Sequence, residues 1–182
     1  MTERVFIAGS GGQGVMTIGK LLAQAAMEEG RQVTYLPSYG AEVRGGTANC
    51  SVTISDEPIH MPNFEVADTL LILNQPSYDK FRARLRPDGL LLINSTLTAT
   101  AAALEGSPAQ HLALPATETA AELGNVRVTN VIMLGAYAGV RGGVPIDRVV
   151  AILQKELGPA RTHLVEINRQ AFLKGMEAAR TA

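Results

Sequence analysis

The chain has no tryptophan, four tyrosines, four phenylalanines and a single cysteine. With Cys50 alone no internal disulfide can form, and an iron–sulfur cluster, which takes about four thiolates, cannot be held within the chain. Histidine is nearly as scarce: His60, His111 and His163 lie far apart, and none has the spacing of a metal-ligand pair. Sixteen basic residues face seventeen acidic ones for a net charge of −1, and no basic run occurs. That balance argues against an electrostatic grip on nucleic acid or on an anionic membrane. No apolar run approaches the roughly 18 residues that span a bilayer. Thr2-Glu3-Arg4 passes straight into an apolar strand pattern with no cleavable signal, so a soluble, cytoplasmic protein is expected.

What is present is enough for one compact domain over residues 1–182, with 46% hydrophobic and 18% charged residues. The most informative stretch is Gly9-Ser10-Gly11-Gly12-Gln13-Gly14. It follows the apolar run Val5-Phe6-Ile7-Ala8 and leads into Val15, Ile18, Leu21, Leu22, Ala25 and Ala26 at helical spacing, with Gly30 as a stop. Strand, glycine turn and helix start in that order offer unpaired N–H groups and a partial positive charge to phosphate or carboxylate. Gly9, Gly11 and Gly14 match the GxGxxG spacing. A dinucleotide-binding fold, however, wants an acidic residue at the end of the second strand, about 20 residues on. Here Val33-Thr34-Tyr35-Leu36 is followed by Pro37-Ser38-Tyr39, and the strand is expected to end at Pro37, which has no N–H to give a ladder.

The loop that follows, Pro37 to Gly46, sets Tyr39, Glu42 and Arg44 among Gly40, Gly45 and Gly46. An arginine fork matches carboxylate or phosphate, and flanking glycines admit close approach; a solvated tight turn is the plain alternative. Thr47 to Ile54 alternates as a half-buried strand, and Ile59 to Met61 is expected to return beside it as an inserted hairpin. Asp68 to Asn74 and Gly89 to Asn94 read as further parallel strands, and His111 to Leu114 as the last. Ligands in open α/β sheets sit beyond the carboxyl ends of the strands, so Gly9 to Gly14, Ser38 to Gly46, Asn74 and Asn94 to Thr96 should meet at one edge. Cys50 lies within a strand and reads as a core residue. Residues 97–109 carry no assignment, and helical patterns follow over 115–123, 130–140, 145–157 and 162–180. The expected fold is a three-layer, Rossmann-like α/β sheet, mostly parallel, with the inserted hairpin and a helical C-terminal part.

Taken in order, Gly9 to Gly14, Pro37-Ser38-Tyr39-Gly40-Ala41-Glu42-Val43-Arg44-Gly45-Gly46, Ile54-Ser55-Asp56-Glu57-Pro58-Ile59 and Ala67-Asp68 before a strand closing on Asn74 resemble the gamma subunit of the 2-oxoacid:ferredoxin oxidoreductases. The likeness extends more loosely through Asn130, Gly135 and Gly175. The Tyr39 to Gly46 segment is more similar to the 2-oxoglutarate and branched-chain members than to the pyruvate members. The resemblance implies an enzyme of several chains that decarboxylates a 2-oxoacid on thiamine diphosphate and Mg, passes electrons through iron–sulfur clusters to ferredoxin, and delivers the acyl group to coenzyme A. Its implied partners are alpha and beta subunits and a ferredoxin-like delta subunit. The chain shows no Gly-Asp-Gly thiamine motif and too few cysteines for a cluster. Its own role should therefore be docking the thiamine-binding subunits and shaping the coenzyme A path, with Gly9, Ser10, Gly11, Gly12, Gln13, Gly14, Ser38, Tyr39, Gly40, Glu42, Arg44, Gly45, Gly46 and Asn74 as candidate contacts. No catalytic or metal-binding residue is expected, and the isolated chain should be inactive and able to pair with a second copy. The competing reading is a stand-alone NAD- or flavin-binding reductase, against which the missing acidic residue counts.

Overall fold

The computed structural model describes residues 1–38, 47–99 and 109–181. Its centre is a six-stranded sheet in the order β2-β3-β1-β4-β5-β6. The strands are β1 (Thr2–Ser10), β2 (Gln32–Ser38), β3 (Thr47–Ser55), β4 (Ala67–Ile72), β5 (Leu85–Asn94) and β6 (Gln110–Leu114). All run parallel except β3, which pairs antiparallel with β1 on one side and β2 on the other. Six α-helices accompany the described strands: α1 (Val15–Glu28), α2 (Gln75–Phe81), α3 (Ala116–Glu122), α4 (Thr129–Arg141), α5 (Ile146–Leu157) and α6 (Thr162–Thr181).

Strand alternation explains the three layers. Along β1, Val5 and Ile7 face one side and join the larger core with α1 residues Ile18, Leu21 and Leu22 and α4 residues Ile132 and Met133. Phe6 and Ala8 face the other side and pack with Leu70, Ile72, Leu91 and Ile93 under Tyr78 of α2 and Phe64. Successive side chains in a strand point to opposite faces, so a run apolar at every position needs cover on both. Arg84 secures the second face. Its guanidinium lies 4.0 Å from the Phe6 ring centroid and donates to the carbonyls of Phe64 and Glu65.

Two expectations need correction. The second strand does not end at Pro37: β2 continues to Ser38, with Pro37 opposite Cys50. It is the edge strand of the sheet, and on an edge a missing N–H need not break a ladder. Residues 59–61 form no strand. Both flanks of β3 are already taken by β1 and β2, so a returning segment finds no open edge, and the antiparallel pair in the sheet is made by β2 and β3 instead.

The helical C-terminal part closes the larger core. Gly135 of α4 and Gly175 of α6 let the two helices cross almost in backbone contact. A Cβ at Gly135 would overlap the Phe172 carbonyl, and one at Gly175 the Ile132 carbonyl. None of the described helices is long and apolar enough to cross a membrane.

Candidate functional site

The connections leaving β1 and β4 diverge to opposite faces, because α1 packs on the larger core and α2 on the smaller. The carboxyl ends of these neighbouring strands therefore flank the crevice where open α/β sheets receive ligands. Here that crevice is filled by the protein's own amides. Gln13 Oε1 accepts from the Ser10 backbone N–H at 2.6 Å and from Asn74 Nδ2 at 3.0 Å, while Nε2 reaches the Leu73 carbonyl at 3.5 Å. Asn74 Nδ2 also donates to Ser10 Oγ at 2.5 Å, and Asn74 Oδ1 accepts from the Ser77 N–H at 3.0 Å, capping α2. Asn94, fully buried, continues the chain by donating to the Leu73 carbonyl at 3.2 Å and to Thr117 Oγ1 at 2.9 Å.

The glycine turn stands on this relay. Gln13 N–H closes a turn on the Ser10 carbonyl at 3.2 Å, and α1 begins at Val15 with no side-chain cap. Gly11 and Gly12 are exposed at the tip. Gly12 (φ +92°) and Gly14 (φ +74°) hold left-handed conformations that side chains rarely adopt. On the other flank the Asn130 carboxamide from α4 meets the Gly14 carbonyl at 3.4 Å.

The expected convergence is present among the described residues. Gly9 to Gly14, Asn74 and Asn94 share one edge, and Thr47 opposes Ser10 in register. Ser38, exposed and opposite Asn49, ends β2 at that same edge. Tyr39, Gly40, Glu42, Arg44, Gly45 and Gly46 lie outside the described residues. The sequence reading omitted Lys80, whose Nζ donates to Thr47 Oγ1 at 3.2 Å, and Thr117. Lys80 carried no signal beyond its place in α2, and Thr117 was visible only as a polar residue just inside a helix start.

The stand-alone dinucleotide reading fails on topology. The fingerprint places its acidic residue on the strand beside β1, but here β3 intervenes and β2 lies two strands away, about 9.6 Å in strand spacings. Gln13 and Asn74 occupy the crevice as well. Cys50 is a core residue: it is fully buried, its Sγ lies 3.6 Å from the Val15 carbonyl, and burial pushes its thiol up to about 12. Among the described residues no group of three or more His, Cys, Asp or Glu is placed to hold a metal ion.

Residues 4–178 match the family described as pyruvate ferredoxin/flavodoxin oxidoreductase. The ketoisovalerate oxidoreductase subunit VorA of Methanothermobacter thermautotrophicus is 44% identical over 132 residues, which are 72% of this chain and 27% of VorA. The chain thus corresponds to only about a quarter of that relative's length. The 2-oxoglutarate synthase subunit KorC of Archaeoglobus fulgidus is 33% identical over 175 residues, covering 96% of this chain and 86% of KorC. Among solved structures, the gamma subunit of a keto/oxoacid ferredoxin oxidoreductase from Geobacter sulfurreducens PCA superposes with a TM-score of 0.83 at 32% identity, with 99% of each chain covered.

Proposed function

We propose that this chain, which belongs to the pyruvate ferredoxin/flavodoxin oxidoreductase family, serves as the gamma subunit of a multi-subunit 2-oxoacid:ferredoxin oxidoreductase. The complex converts a 2-oxoacid, coenzyme A and oxidised ferredoxin to an acyl-CoA, carbon dioxide and reduced ferredoxin. The observation that carries this reading is the braced glycine turn. The polar groups of Ser10, Gln13 and Asn74 are spent on one another, while the Gly11–Gly12 tip is exposed and a Cβ at Gly12 would meet nothing within 4 Å. Such an edge offers bare backbone to a second surface and closes its own crevice to a dinucleotide. The start of α1, uncapped by any side chain, adds N–H groups suited to an anion such as a coenzyme A phosphate.

Thiamine diphosphate with Mg supplies the decarboxylation chemistry, and iron–sulfur clusters the electron path, on the alpha, beta and delta chains. This chain's one cysteine is buried and cannot ligate a cluster. Its residues dock those subunits and line the coenzyme A path, with Arg44 as the cation nearest the edge in sequence. The length of VorA beyond the matched segment supports a partner that is joined to this domain in some relatives. As substrate we favour 2-oxoglutarate, because the KorC match runs over almost the whole chain. The higher identity to VorA makes 3-methyl-2-oxobutanoate the second substrate to assay.

The test is anaerobic capture of the tagged chain from its native extract, with the eluate assayed for coenzyme A-dependent oxidation of 2-oxoglutarate, 3-methyl-2-oxobutanoate and pyruvate. Recovery of thiamine- and cluster-bearing subunits with activity is expected, and the preferred 2-oxoacid names the substrate. In that complex Arg44→Ala should raise the Michaelis constant for coenzyme A about tenfold, the loss of one charge-assisted contact. Capture of the chain alone and inactive, from a complex shown stable in controls, would overturn the reading.

A further inference from the structure

We propose that Asn130 is a positioning residue for the glycine turn, and through it for the coenzyme A path and partner contact; the second half rests on the function proposed above. Asn130 sits in the first turn of α4, a helix whose residues Val131 to Ala138 are all buried. It is itself 6% exposed and 116 residues from Gly14 in sequence. Its Oδ1 accepts from the Val131 N–H at 2.9 Å, which turns Nδ2 toward the Gly14 carbonyl at 3.4 Å. The fit is close on both sides. A Cβ at Gly14 would overlap Nδ2 and lie 2.9 Å from Cγ, so the side chain occupies the space that glycine leaves.

The same Gly14 carbonyl accepts the first helical bond of α1, from the Ile18 N–H at 3.0 Å. Asn130 therefore acts where the turn becomes the helix. The relay of Ser10, Gln13 and Asn74 holds the entry to the turn, and Asn130 holds its exit against α4, which α6 fixes in turn through Gly135 and Gly175. The exposed tip between those two points is thus set from both sides by hydrogen bonds within the chain. Hydrogen bonding by a buried polar group restrains its neighbours because the alternative is an unpaired donor in a dry site.

Two variants separate positioning from folding. Asn130→Ala removes both bonds. Asn130→Asp keeps the shape and the acceptor for the Val131 N–H but cannot donate to the Gly14 carbonyl. In the full chain, amide hydrogen exchange at Gln13 and Ile18, whose N–H groups bond the Ser10 and Gly14 carbonyls, should quicken about fivefold in Asn130→Asp, the loss of one ordinary hydrogen bond, while the α4 amides keep their protection. In the assembled complex the Michaelis constant for coenzyme A should rise by a larger factor than kcat falls. Unchanged exchange at Gln13 and Ile18 in both variants would overturn the brace itself. Faster exchange with an unchanged Michaelis constant and unchanged subunit capture would leave the brace standing and overturn the role given to the turn.

Discussion

The carboxamides of Gln13 and Asn74 meet at 3.0 Å across the gap between the carboxyl ends of β1 and β4. One residue belongs to the glycine turn and the other caps α2, so this bond, with the one from Asn74 Nδ2 to Ser10 Oγ, joins the two connections that leave the sheet on opposite faces. This contact turns what would be a ligand crevice into a braced edge.

Asn74→Ala should cost about 2 kcal/mol, combining the lost cap on α2 with the unpaired Gln13 and Ser10 groups. For a domain of this size that lowers the melting temperature by about 4–8 °C. Asn74→Asp keeps the acceptor for the Ser77 N–H and should recover part of the loss. Thermal denaturation of the three proteins checks the order, wild type above Asp above Ala. An alanine variant as stable as wild type would mean the relay contributes nothing.

The α4–α6 crossing gives a sharper contrast. Gly135→Ala places a methyl group on the Phe172 carbonyl, a backbone atom with no rotamer to yield. Overpacking of this kind costs about 1–3 kcal/mol or more. Gly124→Ala meets nothing within 4 Å and bears only the strain of φ +84°, about 1 kcal/mol. Chemical denaturation should rank Gly135→Ala as the less stable, and the reverse order would mean that the helices separate freely.

At the opposite end of the sheet from the glycine turn, Asp68 accepts from the Arg4 backbone N–H and from Arg86 Nη1, both at 2.8 Å, with its side chain 12% exposed. Asp68→Ala leaves the Arg4 N–H without its charged acceptor and should cost about 1–3 kcal/mol, while the half-exposed Arg86 keeps its pair with Asp88. Because the site lies elsewhere, folded Asp68→Ala should still capture its partner subunits at temperatures well below its melting point. Loss of capture from a folded variant would show that this end of the sheet is also an interface.

Much of this architecture was legible in the sequence because it rests on local pattern. Val5 to Ala8, apolar at every position, reads as a strand covered on both faces, and Gly9 to Gly14 reads as a turn into a helix. The misreadings involve information held at a distance. Pro37 forbids a central strand but not an edge one, and no feature of residues 32–38 says which β2 is. Residues 59–61 suit a strand, yet β3 has no free side for them. Asn130, visible in sequence only as part of the family likeness, gains its role from Gly14, 116 residues away, and Lys80 from Thr47, 33 residues away. Polar residues on helices look alike in sequence until tertiary contact gives one of them a partner.

Cys50 supplies a prediction about pH. Burial pushes its thiol up to about 12, with a backbone hydrogen bond from Gly19 opposing the shift weakly, whereas an unfolded thiol titrates near about 8.5. The folded state therefore holds a proton that the unfolded chain releases. The stability this provides is complete below the unfolded value and falls by about 1.4 kcal/mol per pH unit as pH rises toward the folded one. Tyr137, also raised by burial, adds a similar slope at higher pH. Between about pH 9 and 11 the unfolding free energy of wild type should drop more steeply than that of Cys50→Ala, and the difference between the two slopes isolates the thiol from every other titrating group. In the same range a small alkylating reagent should label Cys50 only at the rate of unfolding, because the thiolate it needs does not form in the folded core. Fast labelling without unfolding, or parallel slopes, would place Cys50 in contact with solvent and the α1 face of the sheet open beside it.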